Sequence, residues 1–222
     1  MDVAVAASRA WYDDVFEVHC IDTECESGLW CALSDPPRWH SAAKTLRPGV
    51  PVERVLRAVD RFDHCSVADS YADLDLGVHG FRPLFQASWV WRRAEDEAGG
   101  WPDGWSVVSH ADELATWNAH QDTTDVLLPP LLDHPRFTFL AQRDRGEMVA
   151  GAVLHRVEDA VELSNTWSAG GADDGTAALV ACATWLHPGV PVVGYDRGPA
   201  LDLLLGAGFE VSGSHVVWVR DG

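Results

Sequence analysis

Few residues in this 222-residue chain have the type and spacing for unaided chemistry. His19, Cys20, Cys25 and Cys31 bring imidazole and thiol groups together, and both ligand types suit zinc. Their spacing matches no common zinc pair, and no second Cys/His pair answers them, so no metal is expected. His64-Cys65 suggests an activated thiol, but Cys65 opens an apolar run and reads as a structural, buried thiol. Asp69, Asp73 and Asp75 form an acidic cluster after that run. Two readings are open for it: helix capping with surface charge, or a carboxylate at Asp69 that faces a cleft shared with Asp196. Alternation along 160–167 (AVELSNTW) puts Glu162, Ser164 and Thr166 on one strand face, opposite Val161, Leu163 and Asn165. There is no Gly-x-Ser-x-Gly elbow, P-loop or dinucleotide fingerprint, which excludes the most recognisable enzyme classes.

These residues must be positioned by an α/β set of elements. A loosely helical start (1–20) precedes strand-like runs at 28–33 and 39–46. Residues 51–62 give the clearest helix: Val52, Val55, Leu56, Val59 and Phe62 share one face, and Glu53, Arg54, Arg57, Asp60 and Arg61 the other. A buried strand (64–69), a short helix (70–79) and a strand (84–92) follow. Residues 94–105 are acidic and Gly-rich and read as a linker, dividing the chain into halves at 1–100 and 101–222. Beyond a helix at 110–120, the runs 137–142, 147–157 and 160–167 form an antiparallel meander. A Gly-rich loop leads to an apolar helix (176–186), a strand (190–195), a helix beginning at Gly198 and a final strand (214–220).

The bulk composition narrows the partners. A formal net charge of −18 with scattered Lys and Arg argues against nucleic acid. No run approaches the apolar length of a membrane span, and the start lacks a signal-peptide pattern, so a cytoplasmic protein is expected. Five cysteines at irregular spacing fit free thiols in a reducing compartment. Eleven tryptophans are many for this length, and several are expected to line a cleft or a seam between halves. A cationic small molecule suits the acidity.

A weak internal repeat links the halves. One constant offset matches Ala72, Leu76 and Gly80-Phe81 with Ala200, Leu204 and Gly208-Phe209, each Gly-Phe closing a short helix before a strand. With a one-residue shift, Asp69 matches Asp196 and Trp91 matches Trp218.

The order over 137–220 (meander, Gly-rich loop and helix, strand, helix ending in Gly208-Phe209, strand) resembles the core of the GNAT superfamily of acyl-CoA N-acyltransferases. The resemblance implies an α/β (α+β) fold with a mixed sheet flanked by helices, here as two GNAT-like halves packed together. It implies a strand opening near residues 165 and 192 that admits pantetheine. Acetyl-CoA or another acyl-CoA would be held by Thr166, Trp167, Gly171, Gly175, Thr176 and Ala177, because backbone N–H groups at a helix start bind pyrophosphate. Gly175 and Ala177 match the family's loop motif, whereas Ala172 replaces its Arg or Gln, and Asp173 and Asp174 place negative charge there. Those carboxylates equally suit an ordinary helix cap.

The family's usual tyrosine acid is Leu204 here, which leaves Tyr195 as the nearest substitute. Glu162 stands where the family often carries its general base, which partial burial would help, although a solvated glutamate on an edge strand is the plainer reading. The expected function is acyl transfer from acyl-CoA to a small-molecule amine, with Glu162, Tyr195 and Asp69 as candidate catalytic groups. Two alternatives stand beside it: a degenerate scaffold that no longer uses CoA and binds a small molecule or partner in a Trp-rich cleft, or a different reaction there.

Overall fold

The computed structural model describes residues 1–95, 99–169 and 175–220, and the apolar runs of both halves become strands of one 11-stranded sheet. In chain order the helices are α1 (Asp2–Val18), α2 (Val52–Val59), α3 (Ala111–Ala119), α4 (Thr176–Leu186) and α5 (Gly198–Gly206). The strands are β1 (Thr23–Glu26), β2 (Leu29–Ala32), β3 (Ala43–Thr45), β4 (Cys65–Asp69), β5 (Arg82–Arg92) and β6 (Trp105–Val108). They continue with β7 (Phe137–Asp144), β8 (Glu147–Arg156), β9 (Val161–Ser168), β10 (Val192–Asp196) and β11 (Glu210–Arg220).

Across the sheet the order is β1-β2-β3-β4-β11-β5-β10-β9-β8-β7-β6. Two neighbouring pairs, β3–β4 and β9–β10, are parallel, and each is bridged by a helix, α2 or α4, as a parallel connection requires. The other pairs are antiparallel. Exchanging β1–β5 with β7–β11 reproduces the order from β1 to β7, because β5 and β11 cross over and pair with each other at the centre. The two corners before these strands are alike. Gly80 and Gly208 adopt φ of 83° and 88°, a left-handed conformation that glycine takes without steric cost. The next N–H reaches back in each case: Phe81 to the Leu76 carbonyl (3.3 Å) and Phe209 to the Leu204 carbonyl (3.1 Å).

Helix α1 covers one sheet face, where Ala4, Val5 and Ala7 pack on Trp89 and Val193, and α3 joins it through Leu114 and Trp117. On the other face, α4 and α5 bury Leu179, Val180 and Leu204 against Val90, Leu163 and Val192, while Val55 and Val59 of α2 pack on Val67. No helix among the described residues is long and apolar enough to cross a membrane.

Several local expectations are corrected. Residues 70–79 form no α-helix; a single 3-10 turn, Gly77–His79, stands there. The Asp69 carboxylate takes the N–H groups of Tyr71 (3.3 Å) and Leu74 (3.0 Å), and Ala72 turns to φ 54°, so side-chain bonding competes successfully with a helix. The strand expected at 39–46 shrinks to Ala43–Thr45, since Trp39 lies at φ 68°. Strand β1 (TECE) has no apolar alternation and was not foreseen; its pairing with β2 is set by the Ser27-Gly28 turn, both residues at positive φ.

Candidate functional site

The parallel pair β9–β10 comes apart after two registered positions, Val192 opposite Val161 and Val193 opposite Glu162. Local features of both strands account for it. Asn165 takes φ 50° where the β8–β9 register slips between Gly151 and Val153, which is a bulge that bends β9. On β10, Gly194 approaches β9 so closely that an added Cβ would lie 2.7 Å from the Leu163 carbonyl oxygen. Beyond it the strands diverge around a cavity of about 260 Å³ lined by Leu163, Ser164, Asn165, Thr166, Tyr195, Asp196 and Leu204. The edge of β9 facing it has no ladder partner there, so its backbone polar groups can serve a ligand.

Glu162 sits where the strands are still paired. It is 3% exposed and points to the α1 face, into a second cavity of about 250 Å³ whose walls include Ser8, Trp11 and Tyr12 of α1. Its Oε2 has no hydrogen-bond partner. Directly across the ladder stands His155, fully buried, with Nδ1 3.7 Å from that oxygen and likewise without a hydrogen bond. The other ring nitrogen of His155 meets Asp14 of α1 at 2.7 Å, and Asp14, 1% exposed, also pairs with the half-exposed Arg136. Burial opposes a charged His155, yet its bond to Asp14 and the nearby Glu162 carboxylate outweigh that penalty and hold the imidazole above its ordinary value. A carboxylate–imidazole–carboxylate row therefore runs from Asp14 on α1 through His155 on β8 to Glu162 on β9, a residue that lines the cavity.

Tyr195 connects the spaces. It lines the cleft between β9 and β10, the Glu162 cavity, and a third cavity of about 990 Å³ that also includes Tyr12, Trp39 and His40. Desolvation by these walls, reinforced by nearby Tyr12, Glu162 and Asp196, raises the Tyr195 hydroxyl, so it stays protonated at neutral pH and can donate. Burial lowers His40 to about 4, so that ring is a neutral wall.

The residues singled out in the sequence separate accordingly. Glu162, Tyr195 and Thr166 meet at the connected cavities, and Leu204 and Asp196 line the cleft. Trp167 turns away from it: its ring stacks on His120, centroids 4.0 Å apart, because the bulge breaks the simple alternation. Gly175 precedes α4 beside the Trp105 ring, and Thr176 and Ala177 open α4. Gly171, with Ala172, Asp173 and Asp174, lies outside the described residues. Asp69 is not with the others; its carboxylate is taken by its own loop, and it lines none of these three cavities. Sequence reasoning missed Tyr12, Asp14 and His155. The available signal was a carboxylate, Asp14, in the apolar stripe of α1, and a histidine in the apolar run of β8.

No family model and no curated protein matches the chain. Solved structures do. A GCN5-related N-acetyltransferase from Kribbella flavida superposes with a TM-score of 0.61 over 98% of this chain and 96% of that one, at 19% identity. An acetyltransferase of the GNAT family from Novosphingobium aromaticivorans gives 0.59 over 90% and 91%, at 15% identity. The Saccharomyces cerevisiae N-myristoyltransferase, solved with bound myristoyl-CoA, gives 0.52 over 81% and 60%, at 8% identity. At these identities the likeness establishes the fold: a mixed sheet flanked by helices, as in GNAT acyltransferases.

Proposed function

Starting from a fold shared with GNAT acetyltransferases, we propose that this protein transfers an acyl group from acyl-CoA to the amine of a small molecule. One observation carries the reading: the cleft where β9 and β10 part shares Tyr195 with the cavity that buried Glu162 lines. The fit to a thioester donor rests on the cleft itself, which offers a β9 edge without a β10 ladder partner from Leu163 onward, beside the start of α4. Thr166 and the residues around Gly175, Thr176 and Ala177 would hold the donor, and bound acyl-CoA supplies an activated acyl carbon.

The chain's own groups divide the remaining work. Glu162 accepts the proton that the acceptor ammonium must lose before its nitrogen becomes a nucleophile. His155, fixed by Asp14, stands 3.7 Å from the Glu162 carboxylate and offsets its charge. Tyr195 keeps its proton at neutral pH and is placed between the cavities to donate it to a leaving group. Tyr12 and Trp11 wall the cavity and limit water. We also read the mirrored sheet order and the matching Gly-Phe corners as a duplication, with halves 1–100 and 101–222.

Isothermal titration with acetyl-CoA, followed by a free-thiol release assay over a panel of amines, tests the reading. Saturable binding and amine-dependent thiol release are expected; no binding at millimolar acetyl-CoA refutes the donor assignment. A second reading, a scaffold that binds a small molecule without CoA, is favoured by Leu204 lining the cleft where a hydroxyl was expected. It predicts ligand-induced changes in tryptophan fluorescence without thiol release.

A further inference from the structure

Lys44, on β3, is 1% exposed, yet it lines the 990 Å³ cavity. Its ammonium lies over two aromatic rings, 4.8 Å from the Tyr12 centroid and 5.4 Å from that of Trp89. Among the described residues no carboxylate is within ion-pair distance of it. A buried ammonium over ring faces, with no carboxylate at ion-pair distance among the described residues, is an incomplete ion pair. Its place in the sheet is informative. Lys44 pairs in parallel with Ala68 on β4 as Glu162 pairs with Val193 on β10, so the exchange that maps one half of the sheet onto the other carries Lys44 onto Glu162. The register through Val217, Phe85, Trp89 and Tyr195 keeps both charges on the α1 face. Tyr12 lines the cavity of each. Burial lowers Lys44 to about 8 while Glu162 pulls it the other way, so the ammonium remains largely charged at pH 7.

The geometry points to an acceptor that carries one carboxylate besides its amine: an amino acid, or a similarly built zwitterion, with the carboxylate on Lys44 and the amine toward Glu162. This rests on the acyl-transfer reading for the role of Glu162, but binding at Lys44 needs no donor. A single negative charge is indicated because, besides His64, which has contacts of its own, two arginines around the cavity already have partners and two histidines are silent. Arg38 is paired with Asp122 (2.5 Å), Arg61 donates to the Leu33 carbonyl (3.4 Å), and burial leaves His40 and His215 neutral, at about 4 and about 3. Asp35 and Asp63, also on the walls, oppose a dianion such as phosphate.

The test uses matched pairs, L-phenylalanine with phenethylamine and L-leucine with isopentylamine, titrated into the whole protein without acyl-CoA and read by calorimetry and tryptophan fluorescence. The amino acid of each pair is expected to bind about ten- to a hundredfold tighter, the scale of a hydrogen bond to a buried charge. Lys44→Met is expected to erase that preference and leave amine affinity unchanged. It keeps the near-UV circular dichroism and a Tm no lower than the parent's, since it replaces an unpaired buried charge by an apolar chain of similar volume. The inference is overturned if amines bind as tightly as their amino acids, if Lys44→Met keeps the preference, if neither amino acid shows saturable binding, or if phosphoethanolamine binds tighter than β-alanine. A preference in protein that releases no thiol from acetyl-CoA refutes only acyl transfer. Equal acylation of amines and amino acids refutes only the carboxylate site.

Discussion

Glu162→Gln isolates the group on which the proposed chemistry depends. Gln is isosteric, so the roughly 250 Å³ cavity keeps its shape, and the substitution removes a negative charge whose Oε2 has no hydrogen bond. Loss of a positioned base lowers turnover by about 10²- to 10⁴-fold, equivalent to roughly 3–5 kcal/mol in the barrier. Stability should move little, because what is lost is a 3.7 Å contact to His155 rather than a made hydrogen bond. His155 reports independently. It has a carboxylate on each side, and removing one lowers its raised pKa while Asp14, at 2.7 Å, remains. Thiol release with saturating amine measures the first effect, thermal unfolding the second, and an NMR titration of the His155 ring the third. Turnover within about threefold of the parent would refute the base assignment. An unchanged His155 titration would refute the coupling.

Gly194→Ala places a methyl carbon 2.7 Å from the Leu163 carbonyl oxygen, closer than van der Waals contact allows, so β10 must shift. A loss of about 1–3 kcal/mol in chemical denaturation is expected, with weaker acetyl-CoA binding; an unchanged midpoint and affinity would show that this contact does not fix the cleft. Stability should fall in acid through His215. Burial holds its folded value near 3 against 6.5 unfolded, so its contribution is complete above about pH 6.5 and is lost as pH falls toward 3, by up to about 1.4 kcal/mol per pH unit. His155 acts in the opposite sense, contributing fully below about pH 6.5 and losing that contribution as pH rises through its raised folded value. Denaturation at pH 7, 6 and 5 checks the acid limb, where a His215→Gln variant with the same slope as the parent would contradict it.

The second half of the chain was legible because its elements are long and its patterns clean: β8, β9, α4, β10 and α5 all appear where their periodicity placed them. The first half was harder. TECE carries no alternation, and its strand depends on a turn at Ser27-Gly28 and a neighbour to pair with. At 70–79 a short helix was expected, but the Asp69 carboxylate offered the backbone a better local partner. The site divided in the same way. Glu162 and Tyr195 could be placed from strand order, whereas Trp167 could not, because one bulge residue, Asn165, changes which side chains face the cleft. Asp14, His155 and Lys44 are polar residues in apolar surroundings, and only the stacking of α1 on the sheet brings the first two together and sets Tyr12 against the third.

The crossing of β5 and β11 bears on how the chain reaches this state. Strands β4 and β5 are close in sequence yet never touch in the ladder, since β11, distant from both along the chain, fills the gap between them. Until that strand arrives, both flanking strands present open edges, and the parallel pair β3–β4 lacks its final neighbour. Folding is thus governed by slow, long-range closure, and the interval before it is when self-association through those edges is most favoured.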